Sequence, residues 1–228
     1  MIDQADIGVV FDLDGVLVDS HDQHQAAWQR LAAEIGKPIT EQQFVESFGM
    51  RNEMCIPGVF HWAAPEDSEL IAELSDRKEE HYRSILAAET IEPLPGVVEF
   101  IGMLTRAGIP GSLGSSTSVL NIEFCLKATG LDVFFGKNIT GAEDVSKGKP
   151  APDVFLKAAE KIEKSPAHCV VIEDAHVGVE AGIAAGMKVL AVTTTHPAES
   201  FSGAPELVVD TLDEVSMDDL LTLFSTGD

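Results

Sequence analysis

The run Ile7-Gly8-Val9-Val10-Phe11 leads straight into Asp12-Leu13-Asp14-Gly15. An unbroken apolar run of strand length has no polar face to turn to water, so a strand built from it must be covered on both sides. Runs of the same kind recur at Cys169–Ile172, Lys188–Val192 and Leu207–Val209, and another starts at Ile109 and ends at Gly114. Between them, Val97–Ala107, Thr117–Thr129, Ala151–Ile162 and Val177–Ala185 read as helices, with Gly130 and Gly186 placed to end two of them. Doubly buried strands separated by helices fit a parallel sheet with helices on both faces. The expected core is a doubly wound, Rossmann-like α/β fold.

One stretch breaks this rhythm. From about residue 20 to residue 90 there are helical patterns but no buried strand run. Trp28, Leu31 and Ile35 share one face, and Ile71, Leu74, Lys78, Tyr82 and Ile85 trace another. Pro93-Leu94-Pro95-Gly96 then marks the return to α/β alternation. The expected organisation is a core from 1–19 and 91–228 with a helical insert, 20–90. An insert at the carboxyl end of a parallel strand enters where such sheets bind ligands, which makes it a candidate lid.

Charge narrows the partners. Against 38 acidic residues there are 15 basic ones, a formal charge of −23. Such a surface repels nucleic acid and anionic membrane. No apolar run approaches a membrane span, and Met1–Asp6 lacks the basic start of a signal peptide. Cys55, Cys125 and Cys169 are widely spaced and odd in number, so neither a disulfide framework nor a thiolate metal site is expected. A cytoplasmic setting follows, with a monomer or weak homodimer as the expected state.

Four short segments carry candidate chemistry. Asp12 and Asp14 are two residues apart, on one side of the chain if the strand continues. Carboxylates this close repel, so either one is raised in pKa or a cation lies between them. Alone, the pair is also what an Asp-rich turn looks like. Cys169–Ile172 delivers Glu173 and Asp174 at its carboxyl end, and one sheet would bring these to the same edge as Asp12. Oxygen ligands of this type suit Mg²⁺. Lys149, in Lys147-Gly148-Lys149-Pro150, is a cation suited to phosphate, or else a solvated loop lysine. Ser115-Ser116-Thr117-Ser118 opens a helix and offers either an anion site or a cap.

Taken in order, strand-Asp-x-Asp, Ser-Ser, Lys-Pro and strand-Glu-Asp resemble the haloacid dehalogenase superfamily of aspartate-based phosphotransferases. The helical insert is similar to the small cap of its β-phosphoglucomutase-like branch. The resemblance implies that Asp12 is the nucleophile forming an aspartyl phosphate, and that Asp14 is the general acid and base and lends a backbone carbonyl to Mg²⁺. It implies that Ser115 and Lys149 hold the transferring phosphoryl group. Asp12, Asp14, Asp174 and the adjacent Glu173 are then the metal residues, Glu173 as a ligand or just behind one.

The resemblance extends into the insert. Ser20, His24 and Trp28 follow i, i+4, i+8 spacing. With Arg51 and Lys78, and with Ser116 and Thr117 of the core, they match the positions that contact substrate in the mutases. In those enzymes an Asn binds a second phosphate where this chain has Val119. The expected activity is therefore Mg²⁺-dependent hydrolysis of a small phosphomonoester, with a sugar phosphate foremost. The β-phosphoglucomutase reaction is the alternative. A non-catalytic binding protein and a 2-haloacid dehalogenase stand further off, the latter because Asp14 supplies a proton that halide release does not need.

Overall fold

The structure, a computed structural model, describes residues 4–225. The chain forms two compact units, one from Met1–Asp19 and Glu92–Asp228, the other from Ser20–Ile91.

Strand β1 (Gly8–Phe11) opens the first unit. The second unit follows and contains helices α1 (His21–Ile35), α2 (Glu41–Ser47), α3 (Asn52–Met54) and α4 (Ser68–Leu86), with a π-helical turn at Cys55–Val59. Thr40 and Gln43 form a reciprocal cap on α2, and Asp67 accepts from Leu70 N to cap α4. Both long helices carry a polar and an apolar face. The apolar faces enclose Trp28, Leu31, Phe44, Ile56, Phe60, Trp62, Ile71 and Leu74.

The first unit resumes with α5 (Val97–Ala107), β2 (Gly111–Gly114), α6 (Val119–Thr129), α7 (Asp132–Phe135) and β3 (Ile139–Thr140). It continues through α8 (Asp153–Lys161), β4 (Cys169–Glu173), α9 (His176–Ala184), β5 (Lys188–Val192), β6 (Leu207–Val209) and α10 (Met217–Thr222). The strands make one sheet in the order β3-β2-β1-β4-β5-β6, and every pairing is parallel. β1, β2 and β4 are buried along their whole length, as the apolar runs of β1 and β4 require. The order reverses between β1 and β4, and the crevice at such a reversal is where sheets of this kind bind ligands. Registry of Phe11 with Ile172 brings the residues after both strands to that one point. No helix among the described residues is long and apolar enough to cross a membrane.

Candidate active site

Beyond β1 the chain turns within one short loop. Leu17 N and Val18 N both donate to Leu13 O, and Gly15 N donates to Val18 O. Gly15 has φ +81°, in the left-handed region that glycine adopts without a steric cost. A Cβ there would also lie 1.9 Å from Asp174 Oδ2, so the close approach of the two strand ends excludes any side chain at this position. Asp12 N donates to Ile172 O at 3.0 Å and fixes the first carboxylate to the end of β4.

Asp12, Glu173 and Asp174 are buried together, with one carboxylate oxygen of each within 4.8 Å of the others. Lys149, only 1% exposed, donates to Asp12 Oδ1 and to Glu173 Oε1, each at 2.6 Å. Glu173 Oε2 accepts from Asp174 N and Ala175 N, each at 2.8 Å. Both oxygens of Glu173 are thus spent inside the protein, on its own backbone and on Lys149. Asp174 Oδ2 accepts from the Thr195 hydroxyl. Asp12 Oδ2 and Asp174 Oδ1 take no part in these bonds.

Burial raises the cost of charge here. It pushes Asp12 up to about 7, with Glu173 and Asp14 adding to the rise and Lys149 opposing it. Burial likewise raises Asp174 well above the carboxylate range, reinforced by Glu173 and Asp12. Lys149 is disfavoured by its own burial, yet Asp12 and Glu173 outweigh that and raise its pKa, which keeps the ammonium charged. Three carboxylates around one ammonium leave two negative charges unmatched when all are ionised. Such a group is stable in a dry site only with a counter-charge. The donors are all oxygen, and two uncommitted oxygens lie on Asp12 and Asp174. Both features fit a hard divalent cation such as Mg²⁺.

Ser115 is buried at the end of β2, where its backbone N donates to Thr140 O and its hydroxyl accepts from Thr117 N. Ser118 caps α6 by accepting from Asn121 N, and Asn121 Nδ2 donates to Thr117 Oγ1. The Glu143 carboxylate accepts from Val119 N, so the start of α6 already carries a negative group. Ser116 and Thr117 lie in this turn, half-buried.

The second unit holds the other predicted residues. Ser20 precedes α1 and makes no side-chain cap bond there. His24 stacks on Tyr82 with ring centroids 4.0 Å apart. Trp28 is 4% exposed and packs on Phe60 and Trp62, so its ring serves the core of this unit. Lys78 is 2% exposed; it contacts His24 Nδ1 at 2.8 Å and donates to Glu79 Oε1 at 3.0 Å, over the rings of Trp28 and Tyr82. Asn52 donates to the same Glu79 oxygen at 2.7 Å. Burial opposes the charge on Glu79, but Lys78 and His24 outweigh it and hold the group down to about 2. Lys78 is therefore a buried and neutralised cation. Arg51 is half-buried before α3.

Glu79, Glu143 and Thr195 are absent from the sequence reading. Lys78-Glu79 is adjacent and could have been noticed as an ion pair. Glu143 and Thr195 reach partners 24 and 21 residues away and leave no local pattern.

The fold is thus a parallel α/β sheet whose acidic strand ends converge on one buried lysine. The sequence matches the haloacid dehalogenase-like hydrolase profile over residues 8–186, and the chain belongs to that family. Hexitol phosphatase A of Escherichia coli is 33% identical, covering 92% of this chain and 93% of that protein. β-Phosphoglucomutase of Bacillus subtilis is 32% identical, covering 83% and 84%. A family IA haloacid dehalogenase hydrolase of Entamoeba histolytica superposes with a TM-score of 0.87 at 25% identity, over 96% of this chain and 99% of that one. The chain spans 58%, 20% and 53% of the lengths of three longer Arabidopsis thaliana relatives. It is an enzyme of the haloacid dehalogenase type.

Proposed function

We propose that this enzyme is a Mg²⁺-dependent phosphatase that releases phosphate from a small sugar or sugar-alcohol monophosphate through an aspartyl phosphate on Asp12. The observation that carries the reading is Lys149 held between Asp12 and Glu173, with Asp174 beside them. Phosphoryl transfer depends mainly on position and charge neutralisation, and this cluster supplies both. Lys149 draws the phosphoryl oxygens toward Asp12, and the buried Ser115 adds a hydroxyl. Glu173 keeps Lys149 charged and aimed. Asp12 attacks phosphorus through one carboxylate oxygen while Asp14 gives its proton to the leaving oxygen. Asp14 then takes a proton from the water that attacks the same phosphorus and returns Asp12 to its free form. Mg²⁺, held by Asp12, Asp174 and the Asp14 carbonyl, would neutralise phosphoryl charge.

Three features support a single phosphate over the bisphosphate that a mutase must hold. Val119 has no side-chain donor where the mutases place an Asn. The Glu143 carboxylate occupies the start of α6 and repels a second anion there. Lys78 is neutralised by Glu79. Similarity to a hexitol phosphatase supports a polyhydroxylated leaving group. On this reading Arg51 and His24 are polar contacts of the leaving group.

The test is a ³¹P NMR time course with Mg²⁺ on a hexitol 6-phosphate, and on β-glucose 1-phosphate with a trace of the 1,6-bisphosphate. Inorganic phosphate is expected, and none from Asp12→Asn. Growth of glucose 6-phosphate without inorganic phosphate would make the enzyme a mutase.

A further inference from the structure

The loop after β5 contributes to the site from a part of the chain that carries none of the acidic motifs. Thr195, half-buried, donates its hydroxyl proton to Asp174 Oδ2. In the ionised form that would bind a cation, the Asp174 carboxylate only accepts, so in that form the Thr195 hydroxyl is the donor. On its other side the same oxygen lies against the backbone of Gly15, so close that a Cβ there would overlap it. Oδ2 is therefore held between a hydroxyl and a glycine, and Oδ1 takes no part in that bond.

The loop is itself tied down at both ends. Thr193 N donates to Val209 O at 3.0 Å, and the Thr193 hydroxyl donates to Asp210 Oδ1 at 2.6 Å. The ring of His196 lies on the ring of His176, the first residue of α9, with centroids 4.3 Å apart, and Phe201 packs against both. A hydroxyl on so braced a loop holds its partner in one rotamer at little further entropy cost.

We propose that Thr195 is a positioning residue for the metal, acting through Asp174: it presents Oδ1 to Mg²⁺ and prevents the carboxylate from rotating away. The proposal rests on the Mg²⁺ reading of the acidic cluster. Groups that orient metal ligands contribute roughly 10- to 100-fold in affinity.

The experiment is isothermal titration of Mg²⁺ into metal-free wild type, Thr195→Val and Thr195→Ser, with the melting temperature of each metal-free protein measured alongside. Val keeps the shape and removes the hydroxyl, whereas Ser keeps the hydroxyl and removes the methyl. Thr195→Val is expected to weaken Mg²⁺ binding about 10-fold or more while its metal-free melting temperature stays close to wild type. Thr195→Ser is expected to bind within about twofold of wild type. Equal affinity for wild type and Thr195→Val would overturn the proposal. So would a Thr195→Ser protein as weak as Thr195→Val, since the methyl and not the hydroxyl would then matter. A wild type that binds no Mg²⁺ but still releases phosphate would overturn the metal reading and Thr195's role with it, leaving the phosphatase reading in place.

Discussion

Gly178 sits in the first turn of α9, where ordinary helix physics favours alanine by about 0.5–1 kcal/mol. The site reverses that preference. A Cβ at Gly178 would lie 1.7 Å from Glu173 Oε1 and 1.9 Å from its carboxyl carbon, so Gly178→Ala must expel the carboxylate. Glu173 then loses Asp174 N, Ala175 N and Lys149 as partners. Each hydrogen bond to a charged group contributes about 1.5–3 kcal/mol, and breaking a buried ion pair from one side costs about 3–5 kcal/mol. The expelled carboxylate recovers some hydration, and the helix gains from alanine. The expected net loss is about 2–4 kcal/mol. Lys149 would keep only Asp12, so turnover by the proposed phosphatase mechanism should fall as well. Urea unfolding followed by circular dichroism gives the first quantity, and Mg²⁺-dependent hydrolysis of p-nitrophenyl phosphate the second. A variant as stable as wild type with undiminished kcat would show that Glu173 does not occupy this seat and does not aim Lys149.

Other outcomes follow from the same geometry. Glu79 ionises far below its ordinary value, so its pairing stabilises the folded state above about pH 4.5 and that stability is lost as pH falls toward about 2. The wild type should therefore exceed Glu79→Gln by about 3 kcal/mol at most near pH 7, with the gap closing below pH 4.5 in urea unfolding; a gap that does not change with pH would mean the ion pair is not formed. Trp28→Ala should cost about 3–5 kcal/mol in the same measurement, because the ring packs against Phe60 and Trp62 in the core of its unit; a loss below about 1 kcal/mol would place it on a surface instead. Glu143→Ala should lower KM for a hexose bisphosphate severalfold and leave the monophosphate unchanged. An unchanged preference would remove Glu143 from substrate selection.

Much of the sheet was legible because most of its strands are short apolar runs set off from the helical segments around them. β5 and β6 have the limits read from their apolar runs, and α5 those read from its helical periodicity. β3 was not legible. Ile139–Thr140 is two residues long, too short for any period to register, and it exists because β2 beside it offers a free edge. The start of α6 shifted for a local reason: Ser118 uses its hydroxyl as the cap, so Thr117 lies outside the helix and not at its first turn. Lys78 fell on the apolar face at helical spacing, and its burial follows that spacing. What spacing does not reveal is the compensating charge next to it.

The acidic strand ends show the same boundary between what sequence carries and what only the fold decides. A strand that ends in Glu-Asp announces two carboxylates at a ligand-binding edge, but it treats them as equals. The folded chain separates them. Glu173 turns back onto its own backbone and onto Lys149, while Asp174 keeps one oxygen outside these bonds. The cause is the turn into α9. It presents the N–H groups of residues 174 and 175 to one carboxylate only, and Gly178 gives that carboxylate the space. On the proposed mechanism this asymmetry has a use. A carboxylate locked by three donors cannot follow a moving phosphoryl group, but it can hold the lysine that does. A carboxylate held through one oxygen can still bind a cation through the other. Adjacent residues of one type thus take different roles because the backbone satisfies one of them and leaves the other partly unsatisfied.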